Sequence, residues 1–129
     1  MDRSKEYVLM CEKAAKILKL EKISYREASS ENPEMTYGGK YIFNKGYNPN
    51  TKEHEIVHLL RQDELQEMVF TQITGTYNLV LTKVLSFSDH WKDHGFPIWA
   101  TSLEKLWLAY VMVVLYVKAW NGSEWVEEG

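Results

Sequence analysis

The chain has 129 residues, of which 45% are hydrophobic, 26% charged and 13% aromatic, with three Pro and seven Gly. That length fits a single domain over residues 1–129, and the composition excludes a disordered, collagen-like or low-complexity chain. A net charge of −3 argues against a general phosphate-binding surface, so nucleic acid is not an expected partner.

The first predicted element is a helix. Ser4 is its N-cap, and Tyr7, Val8, Cys11, Ala14, Ala15 and Leu18 recur at three- and four-residue steps. Cys11, the one cysteine, lies on that apolar stripe and reads as a small core residue. A single cysteine forms no internal disulfide, which fits a reducing compartment. The opening Met1–Glu6 stretch has no apolar core of a secretory signal, so the expected location is the cytoplasm.

Residues 21–39 read as loop, with Ser29, Ser30, Asn32 and Pro33 crowded before Gly38-Gly39. Tyr41-Ile42-Phe43 has strand composition, Gly46–Thr51 is turn chemistry, and apolar residues resume at Ile56. A β-hairpin near 41–60 follows, pairing 41–45 with 54–60. Three helices should come next. Asp63 with Gln66 forms a capping box for a helix to about Gln72; Tyr77, Val80, Leu81, Val84 and Trp91 mark a second, stopping near Gly95 and Pro97; Thr101 with Glu104 opens the last, ending at Asn121-Gly122. The expected class is therefore α+β: an N-terminal helix, the hairpin, then three helices with the C-terminal one buried.

That last helix carries twelve uncharged residues, Leu106 to Val117, between Lys105 and Lys118. At 1.5 Å per residue they span about 18 Å, short of the ~30 Å hydrocarbon core, so no membrane span is expected. A helix apolar all round should be buried all round, packed by helices and the hairpin, with a second copy as one possible cover.

One motif spells chemistry. His54-Glu55-Ile56-Val57-His58 is H-E-x-x-H, which on a helix stacks two imidazoles over one Zn²⁺ and leaves the glutamate to activate water. Glu64 stands where a third ligand is often found. Periodicity argues against a helix here. On one continuous helix Ile56, Val57, Leu59 and Leu60 would centre near ~20°, and Leu65, Met68 and Val69 near ~170°, almost opposite faces. The chain should break between them, and the preceding turn favours a strand. On a strand His54 and His58 lie about 13 Å apart, against about 6 Å on a helix, too far to share a metal. His90 and His94 form a second pair near a predicted helix end, where the expectation is dipole and carbonyl capping rather than a metal site. No phosphate loop, G-x-S-x-G, C-x-x-C or dinucleotide fingerprint is present.

Four stretches, Tyr7–Ala14, Val57–Val69, Ser102–Met112 and Trp120–Val126, together resemble small uncharacterised proteins encoded by bacterial phages and prophages. In such relatives the stretch before the R-Q-D-x-L-Q-E-M block looks like a strand and usually lacks H-E-x-x-H. The resemblance implies a phage or prophage origin and a bacterial cytoplasm, and it carries over no catalytic residue and no cofactor. With no coherent catalytic constellation and five Trp as possible anchors, the expected function is a non-enzymatic accessory domain that binds a protein partner or forms a homodimer. The alternative is a zinc-dependent hydrolase using His54, Glu55 and His58.

Overall fold

A computed structural model describes residues 2–23, 35–36, 38–72 and 102–127. Helix α1 spans Lys5–Leu18. Ser4 caps it, its Oγ accepting from the Tyr7 N–H at 3.2 Å. At the other end Lys19 adopts the left-handed conformation and donates its N–H to the Ala15 carbonyl. The stripe that faces inward is Tyr7, Val8, Met10, Cys11 and Ala14.

Strands β1 (Tyr41–Asn48) and β2 (Glu53–Leu59) form the expected hairpin, paired Tyr41 to Leu59, Ile42 to His58 and Phe43 to Val57. The pairing runs further toward the turn than composition suggested because a bulge absorbs one residue. Between Asn44 and Gly46 the register shifts, leaving Lys45 unmatched. Gly46 has φ +115, a conformation that side chains resist, and its N–H is held by Asn44 Oδ1 at 2.8 Å. The two faces of the hairpin part company. Val57 and Leu59 join the main core, whereas Ile42 packs with Ile23 and Ile56 in a separate small cluster.

Helix α2 spans Gln62–Gln72 and begins before Asp63, which corrects the expected cap. Arg61 is the N-cap: its carbonyl accepts from the Leu65 N–H at 3.1 Å, and its own N–H donates to Glu64 Oε1 at 3.0 Å. Glu64, not Gln66, is thus the residue that reaches back, and Asp63 sits in the first turn, where it accepts from Arg61 Nε at 3.0 Å. The helix expected over about 77–95 lies outside the described residues.

Helix α3 spans Leu103–Tyr116. Its cap is Ser102 rather than Thr101: Ser102 Oγ accepts from the Lys105 N–H at 3.2 Å and is hydrogen-bonded to Asp2. Two further corrections concern its far end. The helix stops at Tyr116, where Val117 turns left-handed at φ 54 and gives its N–H to the Met112 and Val113 carbonyls. Burial also stops short. Leu106–Met112 are all buried, but Val114 and Tyr116 are exposed, because the chain turns away there into another hairpin. Strands β3 (Lys118–Trp120) and β4 (Trp125–Glu127) pair antiparallel in place of the helix end expected at Asn121-Gly122. Asn121-Gly122 makes their turn, with Asn121 Oδ1 accepting from the Ser123 and Glu124 N–H groups and Gly122 at φ +107.

The main core draws on all these elements. Tyr7 and Cys11 of α1, Leu59 of β2, Leu65 and Val69 of α2, and Leu108 and Met112 of α3 are 0% exposed. Trp120 and Trp125 close it from the last hairpin, their rings 5.0 Å apart, and Trp125 donates its indole N–H to the Met10 carbonyl at 3.1 Å. The class is α+β. Among the described residues no helix is long and apolar enough to cross a membrane.

Candidate functional site

The five residues of the H-E-x-x-H motif lie within β2, so they alternate between the two faces of the hairpin. His54 and His58 share a face and Glu55 points to the other. His54 meets the edge of Tyr47, ring centroids 5.5 Å apart, with Asn44 Nδ2 3.4 Å from its Nδ1. Glu55 accepts from Asn48 Nδ2 at 2.9 Å and lies 3.9 Å from Lys45 Nζ. These contacts knit the hairpin; they do not gather the motif around one point. Among the described residues no three His, Cys, Asp or Glu side chains converge as a metal would need. His90 and His94 lie outside the described residues.

The structure does join His58 to Glu64. His58 Nε2 is 3.0 Å from Glu64 Oε2, with His58 only 8% exposed. The contact follows from chain geometry: β2 ends at Leu59, two residues turn, and the first turn of α2 carries Glu64 back over the strand end. Burial alone would raise the Glu64 carboxyl. The hydrogen bond from His58 and the N–H of Arg61 outweigh it, with the positive charges of His58 and then Arg61 adding to them, and hold the group below its ordinary value. At neutral pH Glu64 is therefore an ionised acceptor.

His58 also forms part of the wall of a cleft of about 320 Å³. The cleft runs between the second half of α1, the segment that leaves it and β2. Its apolar lining is Ala15, Leu20, Ile23, Ile56 and Val57. Residues from both faces of β2 contribute, which places the cleft along the outer edge of that strand. Four charged residues form its rim. Glu12 is paired with Lys45 at 2.7 Å and Lys22 with Glu53 at 3.0 Å, whereas Lys16 and Glu21 carry opposite charges and form no ion pair among the described residues.

The other reactive-type side chains are structural. Cys11 is fully buried, and burial pushes its thiol up to about 12, which keeps it protonated and inert. Beside it Tyr7 donates its hydroxyl to the Leu60 carbonyl at 2.6 Å, and burial raises that phenol too. Of the five Trp, those described, Trp107, Trp120 and Trp125, are core residues rather than surface anchors.

The sequence singled out His58 and Glu64, but as members of a zinc set. Their pairing depends on where a strand ends and a helix begins, and a misplaced helix start at Asp63 hides it. The cleft has no sequence signal at all. No protein-family model, no curated protein and no solved structure matches this chain.

Proposed function

We propose that the chain is a small non-enzymatic accessory domain of phage or prophage type, which acts in a bacterial cytoplasm by binding a protein, either another polypeptide or a second copy of itself. The observation that carries this reading is the apolar end of α3. Val114, Tyr116 and Val117 are 37%, 38% and 54% exposed, beyond the seven consecutive buried residues Leu106–Met112 and half-buried Val113. Clustered exposed apolar side chains are the usual mark of a surface another protein covers. Their setting supports it, since the titratable residues of the motif are engaged in holding the hairpin and the strand–helix junction.

The test is a photo-cross-linker at position 117, with exposed position 13 on α1 as control. The expected result is a discrete cross-linked species at 117 alone, lost when Val114→Lys is added. Sedimentation of the purified chain over a hundredfold concentration range then separates a homodimer from a heterologous complex. No cross-link at 117 and a monomer throughout would overturn the reading. Zinc is checked separately, by elemental analysis of protein purified without chelator. We expect less than about one tenth of a zinc per chain, unchanged in His58→Ala. Near-stoichiometric zinc that disappears in that variant would restore the hydrolase alternative.

A further inference from the structure

We propose that the cleft along the outer edge of β2 binds a small neutral molecule bearing a hydroxyl on a compact apolar body, a phenol or a short alcohol, with His58 Nδ1 accepting the hydroxyl proton. The inference is independent of the protein-binding surface at the end of α3.

Three observations define the ligand. The first is the orientation of His58. Its Nε2 faces an ionised carboxylate, which can only accept, so the proton between them belongs to the imidazole. In the neutral ring that leaves Nδ1 as an acceptor. Among the described residues Nδ1 makes no hydrogen bond, and His58 lines the cleft. A carboxylate holding one imidazole nitrogen so that the other is presented in a fixed tautomer is how proteins aim a histidine. The second is size and lining. At about 320 Å³ the cleft sits at the lower end of ligand sites, which run from about 300 to 1,000 Å³, and its apolar lining suits one ring or a short chain. The third is charge. Glu12 and Lys22 are already paired across to other elements, and the remaining rim charges, Lys16 and Glu21, cancel. Such a rim favours neither an anion nor a cation, and the ligand is neutral.

The probes are phenol, anisole, benzoate and benzylammonium, each titrated into the full chain labelled at Ile and Val methyls and at His nitrogens. Phenol is expected to shift the Ile23, Ile56 and Val57 methyls saturably, together with His58 Nδ1. Anisole has the same apolar body without the donor and should bind about tenfold more weakly, the net worth of one hydrogen bond. His58→Phe should remove that phenol–anisole difference. Ala15→Leu fills the cleft from the α1 side while leaving His58 and Glu64 untouched, and should abolish the shifts, which keeps the test decisive should His58→Phe fail to fold. Equal affinities for phenol and anisole, tighter binding of either charged probe, or no saturable shift at these methyls would each overturn the proposal.

Discussion

Two junctions between strand and helix are built in opposite ways. From β2 into α2 the chain turns on Leu60 and Arg61, and side chains do the holding: Leu60 is fully buried, its carbonyl takes the Tyr7 hydroxyl, Glu64 takes the Arg61 N–H and meets His58, and Arg61 is hydrogen-bonded to the Gly39 carbonyl. From α3 into β3 the chain turns on Val117 alone, with backbone hydrogen bonds only, and the residue is more than half exposed. The first junction welds three elements into the core. The second lets the chain leave the core and carries apolar side chains to the surface. Stability and availability for contact are thus placed at different junctions of the described fold.

The sharpest way to break this contrast lies on α3 itself. Leu106→Asp puts a carboxylate where Leu106 is 4% exposed, and burying an unpaired charge costs several kcal/mol, comparable to a total stability of about 5–15 kcal/mol. Loss of the cooperative thermal transition is expected by circular dichroism. Val113 is only half-buried, so the same change there is milder than twelve uncharged residues in a row suggest. Val114→Asp, one position further, should keep its transition within about 0.5 kcal/mol of the parent, as surface substitutions do. An unfolded Val114→Asp would show that the end of α3 belongs to the core.

The β2–α2 junction predicts a smaller loss. Glu64→Ala leaves the Arg61 N–H and the His58 ring nitrogen without their acceptor and should cost about 1–3 kcal/mol in urea unfolding. Glu64→Gln retains an acceptor for the cap and should cost less. The same carboxylate makes stability depend on pH. Its folded pKa lies below the unfolded one, so its contribution is present above the ordinary carboxylate value of 4.5 and is lost as pH falls through the folded pKa. Burial tends to raise Asp2, but its hydrogen bonds with Ser102 and Ser4 outweigh this and lower it, adding a loss of the same sign. Unfolding midpoints should therefore fall as pH drops below about 5, less steeply in Glu64→Gln than in the parent. Equal slopes would mean Glu64 titrates alike in both states.

The smallest effect belongs to the α3–β3 junction and has the opposite sign. A β-branched residue at φ 54 costs about 1–2 kcal/mol that glycine does not incur, and exposed Val117 gives up little burial when replaced. Val117→Gly should stabilise by about 0.5–1 kcal/mol after the greater freedom of glycine in the unfolded chain is counted. A destabilised variant would place the Val117 side chain against the core.

Local chemistry determined much of this protein from sequence alone. Ser4 as a cap, the α1 stripe of Tyr7, Val8, Cys11 and Ala14, the strand character of 53–59 and the α+β class all follow from residues within a few positions of one another. Helix periodicity and turn composition act over that range. Helix boundaries needed more. Glu64 rather than Gln66 completes the α2 cap because β2 ends where its pairing with β1 ends, and Asn121-Gly122 joins two strands because Trp120 and Trp125 can both enter the core. The apolar run from Leu106 to Val117 looks uniform in sequence, yet only its first part is covered, since coverage depends on which other elements reach it. The His58–Glu64 contact and the cleft beside β2 arise in the same way. Each brings together side chains from separate elements, and only packing in three dimensions decides which of them meet.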